Sequence, residues 1–313
     1  MSAVRAPAPP ARRPSARALA VALVIKRSQW RIQLEERHDP RLRRLVALGD
    51  RSIAPLRASH EAHEKTVAEV RAALETVGAR VAVTRRAGEP FDATGLDLVV
   101  TVGGDGTLLS ASHSVDDVPI LGINSAPDHS IGFFCGARSG GALAAIERAA
   151  RGELRRTVLT RMKVSVDGEV VAARVLNDAL FCHASPAATT RYVVELGDVK
   201  EQQKSSGFWI GPAAGSTAAQ RSAGGRVLPL TSKKLQLVVR EPYTPHGESY
   251  DLRHALIEPG DVLIVRSKTH DAKLFFDGPE RSIDVGYGQR IEFTQAPQSL
   301  TVLGLTSKRK WGT

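Results

Sequence analysis

Val99–His113 reads VVTVGGDGTLLSASH. An apolar run stops at two glycines, an acid follows, and after a third glycine and a threonine the chain turns apolar again. A continuous apolar run marks a strand covered on both faces, so DLVVTV (97–102) reads as a central strand. The glycine turn hands that strand over to a helix. In an open parallel sheet, ligands sit beyond the carboxyl ends of the strands. Glycines there let the backbone approach a ligand and adopt positive φ, while N–H groups of the turn and of the helix start meet phosphate oxygens. Gly103, Gly104, Gly106 and Thr107 are therefore candidate phosphate-binding residues. The turn is not a P-loop, because no Gly-Lys-Ser/Thr follows, and its glycine spacing is not that of the dinucleotide fingerprint. Asp105 is the residue that needs explaining. It could cap a helix beginning near Thr107. An anion-binding loop gains nothing from a lone carboxylate, so the acid points instead to work on a hydroxyl, or on Mg²⁺ carried by a nucleotide.

Around this stretch strands alternate with helices. RALAVALVIK reads as a buried strand, and ARVAVT and VPILGIN (118–124) as two more. Val67, Val70, Ala73, Leu74 and Val77 recur at helical spacing until Gly78, and GALAAIERAARG forms a later helix. The alternation predicts a parallel sheet in a three-layer α/β domain over residues 17–152. After Gly152 the pattern changes. Asp167-Gly168 sits between two alternating runs, a hairpin signal, and RYVVEL, GFWIG, LQLVVR, DVLIVRS, AKLFFDG and RIEFTQ follow with few helices. Residues 153–295 are expected to form an antiparallel, β-sandwich-like domain, and 296–313 a last strand and tail able to return to the first domain. Residues 1–16, rich in Pro, Ala and Arg, read as a disordered tail whose prolines argue against an amphipathic targeting helix.

Composition narrows the function. The chain has 313 residues, 42% hydrophobic and 24% charged, enough for two domains with real cores. The net charge of +10 is scattered, with neither a dense basic run in the folded part nor interleaved aromatics, which sets nucleic-acid binding aside. No apolar run reaches bilayer-spanning length, so no membrane partner is expected. Cys135 and Cys182 stand in unrelated settings and read as free thiols of a reducing, cytoplasmic compartment. His60 and His63 share a helix face with Glu61 and Glu64 beside them, which reads as a solvated face rather than a metal site.

VGGDGTLL resembles the signature shared by NAD kinases, diacylglycerol and sphingosine lipid kinases and, more distantly, phosphofructokinases. The remaining motifs select among them. LGINSAPDHSIGFF, VLNDALF, GFWIGPAAGSTAAQRSAGG and FFDGPE resemble NAD kinase segments, in the family's order, over roughly residues 20–305. Ser206-Gly207 and Ala219 depart from many bacterial members and resemble the branch of plant-type NADH kinases and mitochondrial NAD kinases.

The resemblance implies the NAD kinase/diacylglycerol kinase-like fold and transfer of the γ-phosphoryl of ATP to the 2′-hydroxyl of the adenosine ribose of NAD or NADH. It assigns Asp105 as the proton acceptor, with Mg²⁺ arriving on ATP. It assigns Asp105, Gly106, Asn177, Asp178, Ser206, Thr217, Ala218 and Ser222 to NAD binding. Read as strand neighbours, Asn177 and Asp178 would point to opposite faces, and Asp277-Gly278 reads as a hairpin turn. A homodimer or homotetramer is implied as well. A lipid kinase and a non-catalytic NADP(H) sensor stand as alternatives.

Overall fold

The computed structural model describes residues 17–244 and 249–305. The expected tail over 1–16 and the end of the chain from 306 lie outside the described residues. The first half contributes strands β1 (Ala20–Ile25), β2 (Arg80–Arg86), β3 (Leu98–Gly103), β4 (Ile120–Asn124), β5 (Cys135–Arg138) and β6 (Arg156–Leu159). Helices α1 (Pro40–Ala47) and α2 (Ala54–Thr76) fall between β1 and β2, α3 (Asp105–Ser112) follows β3, and α4 (Ala142–Ala150) follows β5. The short β5 carries no apolar signature, and the sequence reading passes over it.

The second half supplies β7 (Met162–Val166), β8 (Glu169–Val175), β9 (Ala179–His183), β10 (Thr190–Leu196), β11 (Val199–Ser205) and β12 (Phe208–Pro212). A 3-10 turn (Ala213–Thr217) and the one-turn α5 (Ala219–Ser222) come next. Then follow β13 (Leu235–Val239), β14 (His254–Ile257), β15 (Leu263–Ser267), β16 (Ala272–Phe276), β17 (Ser282–Val285), β18 (Arg290–Gln295) and β19 (Leu300–Leu303).

Three sheets result. The first runs β2-β1-β3-β4-β19-β6, with β5 also paired to β4. It is parallel except where β6 meets β19. All six residues of β3 are buried, as expected of a strand covered on both sides. One face is covered by α2 and α4 through Val70, Leu74, Ala142 and Ile146. The other is covered by α3 through Leu108, Leu109 and Ala111, and there Leu176 and Ala214 of the second half join the same core. Helix α3 thus lies between the parallel sheet and the second half, which accounts for the burial of Thr107, Leu108, Leu109, Ala111 and Ser112.

The other two sheets, β11-β10-β15-β18-β7-β8 and β14-β13-β12-β9-β16-β17, share one core. The rings of Phe181, Tyr192, Phe208 and Phe293 meet at its centre, with centroids 5.2–5.9 Å apart. The antiparallel sandwich is the one the sequence predicts. No described helix is long and apolar enough to cross a membrane.

His63 corrects the expectation of a solvated face: it is 1% exposed. Its Nε2–H donates to the Lys26 carbonyl (3.0 Å) and its Nδ1 accepts from the Ser125 hydroxyl (2.9 Å), a neutral arrangement. Burial pushes its pKa down to about 4. His60, the other member of the pair, stacks on Trp30 and meets the Ser28 hydroxyl.

Arg161, between β6 and β7, is fully buried. Among the described residues it forms no ion pair with a carboxylate. Its guanidinium donates to the carbonyls of Ser112, the last residue of α3, and Val115, just beyond it, and of Gln298 and Ser299, before β19, at 2.7–3.1 Å. The charge is held by carbonyl dipoles, and burial lowers its pKa to about 10. A guanidinium has five N–H donors in a rigid fork and can serve these four carbonyls at once, whereas an ammonium has only three donors radiating from one point. Arg161→Met should lower the free energy of unfolding by about 3 kcal/mol or more, since each orphaned buried acceptor costs on the order of 1–3 kcal/mol. Arg161→Lys should recover only part of that in urea titration. A Met variant as stable as the parent chain would show that these carbonyls do not depend on the guanidinium.

Candidate active site

From β1 the first sheet grows toward β2 on one side and toward β3 on the other. That reversal leaves a crevice at the carboxyl ends of β1 and β3, where open α/β sheets bind ligands. Lys26 follows β1 directly, and Gly103 ends β3, with Gly104 and Asp105 opening α3. A cavity of about 650 Å³ opens there, bordered by Lys26, Gly104, Asp105, Gly106, Thr107 and Asp277 among others. Its size is in the range of small-molecule sites.

Gly103 and Gly104 answer to crowding rather than to positive φ. None of Gly103, Gly104 and Gly106 has a left-handed backbone. A methyl group on Gly103 would overlap Thr107 and the Lys26 stem, and one on Gly104 would meet the Ser130 hydroxyl. Gly106 faces open space. Thr107 borders the cavity but is only 4% exposed, packed beneath the turn.

Asp105 does not cap the helix. Gly104 is the N-cap residue, without a side-chain cap, and Asp105 is the first residue of α3. Its carboxylate reaches across to the loop after β4, where Oδ2 accepts the N–H of Phe133 (2.8 Å) and Oδ1 that of Phe134 (2.7 Å). Asn124 shapes this loop by donating to the Ser130 carbonyl (2.8 Å), and Gly132 provides its left-handed residue at φ +63°. Both oxygens are oriented, and each keeps a further lone pair for another partner.

Asn177 and Asp178 do not point to opposite faces of a strand. Strand β8 ends at Val175 and β9 begins at Ala179, so the pair lies in the bend that crosses from one sheet of the sandwich to the other. Their side chains touch, Asn177 Nδ2 donating to Asp178 Oδ2 at 3.0 Å. Burial, with the Asp277 charge adding to it, pushes the Asp178 carboxyl up to about 7. The Asn177 carbonyl packs so closely on Gly215 and Gly211 that neither position has room for a methyl group.

Asp277 is more than a turn residue. It does lie between β16 and β17, with φ +52°. Its carboxylate, 2% exposed, accepts the backbone N–H groups of Leu176 (2.9 Å), Asn177 (2.6 Å) and Asp178 (3.2 Å). His113 Nε2, at the end of α3, stands 2.9 Å from Oδ2, but the ring N–H is not aimed for a good hydrogen bond. Asp277 and His113 both border the Asp105 cavity. One carboxylate thus connects the bend carrying Asn177 and Asp178 with the crevice of the parallel sheet.

The structure brings the predicted residues together only in part. Gly104, Asp105, Gly106 and Thr107 border one cavity, with Gly103 packed beneath. Asn177, Asp178, Ser206, Thr217, Ala218 and Ser222 do not border it. Thr217 is half-buried at the end of the 3-10 turn, and Ala218, just before α5, and Ser222, its last residue, are exposed. Ser206, half-buried, sits in the turn between β11 and β12 and donates its N–H to the Arg240 carbonyl. Sequence reasoning missed three features: the amides of Phe133 and Phe134, Asp277 as an anchor, and Lys26. The rule that placed the glycine turn at a strand's carboxyl end points equally to Lys26, one strand over.

Residues 21–148 match the family model of the ATP-NAD kinase N-terminal domain. A probable NADH kinase of Oryza sativa subsp. japonica is 31% identical over 230 residues, covering 66% of this chain and 71% of that protein. The NADH kinase of Arabidopsis thaliana is 33% identical over 230 residues, 66% and 72% of the two chains. The NAD kinase of Geotalea daltonii is 30% identical over 234 residues, 69% and 79%. The fold is that of the NAD kinase of Archaeoglobus fulgidus, crystallised with ATP, at a TM-score of 0.64 and 18% identity over 93% of this chain and 94% of that one. Yeast NADH kinase, crystallised with NADH, gives a TM-score of 0.65 at 14% identity over 93% of this chain and 85% of that one. With two plant NADH kinases and a bacterial NAD kinase at 30% identity or more over most of their own lengths, the chain belongs to the NAD kinase family.

Proposed function

We propose that this chain transfers the terminal phosphoryl group of ATP to the 2′-hydroxyl of the adenosine ribose of NAD or NADH, giving NADP or NADPH. Family membership supports the reaction, and the relatives matched are NAD and NADH kinases, which disfavours a lipid kinase or a silent sensor. The observation that carries the reading for this chain is Asp105, oriented by two loop amides at the rim of the cavity.

Phosphoryl transfer passes through a loose transition state, so positioning and charge neutralisation dominate. A ribose oxygen forms its bond to the γ-phosphorus as the bond to ADP breaks, and the hydroxyl proton passes to Asp105. Gly103, Gly104, Gly106 and Thr107 hold the phosphates at the start of α3. Asn177, Asp178, Ser206, Thr217, Ala218 and Ser222 hold NAD(H) together with Asp105 and Gly106. Mg²⁺ belongs to the same reading, neutralising phosphate charge. Such an ion would keep several of its waters and be carried by the triphosphate. A cytoplasmic homodimer or homotetramer completes the reading, on the family resemblance alone. Light scattering should give the mass of two or four chains, and the mass of one chain would remove that part.

Asp105→Asn should cut turnover by about 10²–10⁴, the usual worth of a positioned base, with the melting temperature within a few degrees of the parent. A folded variant forming NADP at the parent rate would remove Asp105 from the role. Asp277→Ala leaves three N–H groups of the 176–178 bend without their acceptor. It should lower kcat/KM for NAD by roughly tenfold or more and destabilise the fold by about 1–3 kcal/mol. Unchanged NAD kinetics and an unchanged urea midpoint would show that the bend holds its shape without the carboxylate.

A further inference from the structure

Lys26 is a half-buried cation that the fold places with care and, among the described residues, leaves without a counter-ion. Its N–H donates to the Val102 carbonyl at the end of β3 (2.9 Å), and its own carbonyl accepts from the buried His63 (3.0 Å). The backbone is therefore tied on both sides at the point where β1 and β3 diverge. Its stem lies against Gly103, whose missing side chain makes the room. The ammonium makes neither an ion pair nor a side-chain hydrogen bond among the described residues. Arg27, the next residue, is paired with Glu36. Lys26 also borders the cavity that holds Asp105, Gly104 and Gly106.

A cation taken partly out of water without a partner is unfavourable, and burial holds the Lys26 ammonium below its ordinary pKa. Such a group in a cleft, lining the same cavity as a turn whose N–H groups suit phosphate, is a ligand waiting for an anion. The plain alternative is a stem that only covers Gly103 while the ammonium reaches water.

We propose that Lys26 meets the terminal phosphates of the phosphoryl donor and neutralises the charge that builds on the leaving diphosphate as the γ-phosphoryl departs. The proposal rests on the kinase reading for its chemistry, but the site binds a polyphosphate whether or not transfer follows. In the balanced step, the ribose oxygen bonds to phosphorus, the phosphorus–oxygen bond to ADP breaks with its electrons, Asp105 takes the hydroxyl proton, and Lys26 keeps its own three protons throughout. A compact ammonium on a flexible stem can follow phosphate oxygens as they move, which a planar guanidinium does less well.

The test uses the full chain with two probes, inorganic tripolyphosphate in calorimetry and ATP with NAD in steady-state kinetics. Lys26→Met, and Lys26→Gln should the first not fold, are compared with the parent. The expected result is a loss of tripolyphosphate affinity of at least tenfold and a fall in kcat/KM for ATP on the order of 100-fold, the scale of removing one charge-stabilising donor. KM for NAD should stay within threefold and the melting temperature within a few degrees, while Lys26→Arg should recover part of the tripolyphosphate affinity. Failure to bind tripolyphosphate at all, or folded variants that bind it as the parent does, would overturn the proposal. So would equal losses toward ATP and NAD. If the parent binds tripolyphosphate through Lys26 but makes no NADP, the kinase reading fails while the anion site stands.

Discussion

Two backbone N–H groups, those of Phe133 and Phe134, set the direction of the Asp105 carboxylate, and the rest of the site is arranged around that constraint. Had Asp105 capped its own helix, its oxygens would have been spent inside the turn. Because the bonds come from a loop after the next strand, the carboxylate is drawn across the crevice and held at the cavity's edge. The loop is itself specified by Asn124 and by the left-handed Gly132. Fixed dipoles of this kind hold the carboxylate in one orientation before the substrates meet, so their contribution is one of positioning.

A second carboxylate works in the opposite sense. Asp277 is almost wholly enclosed and spends its oxygens on the backbone of residues 176–178. It is an anchor rather than a reactant. The bend it holds is pressed from the other side by Gly211 and Gly215, so the residues assigned to the dinucleotide are registered against the crevice by packing as much as by hydrogen bonds. Arg161 does the same for the segments that follow α3 and precede β19.

Much of this was legible in the residues. The apolar run into GGDGT gave the central strand, the turn and the acid, and the change of pattern after Gly152 gave the antiparallel half. What the sequence could not supply were partners far along the chain. Asp277 meets amides about 100 residues away, and nothing beside Asp277-Gly278 distinguishes it from an ordinary hairpin turn. Asn177 and Asp178 were misread because local alternation suggests a continuous strand, whereas the chain changes sheets there. His63 looked solvated because its neighbours are acidic, yet helical geometry turns it toward the sheet while Glu61 faces water. The three glycines were read as allowing a close approach to a ligand and positive φ; none of them has positive φ, and Thr107, Lys26 and Ser130 crowd two of them.

The central claim is spatial: one Asp105 oxygen must face a ribose hydroxyl while the donor's phosphates lie over the start of α3. A crystal structure of the chain with NAD and a non-hydrolysable ATP analogue measures this directly. The account predicts the adenosine 2′-oxygen at hydrogen-bond distance from Asp105, in line with the terminal phosphorus. A dinucleotide bound with that oxygen turned away from Asp105, or with the triphosphate outside the crevice between β1 and β3, would contradict it.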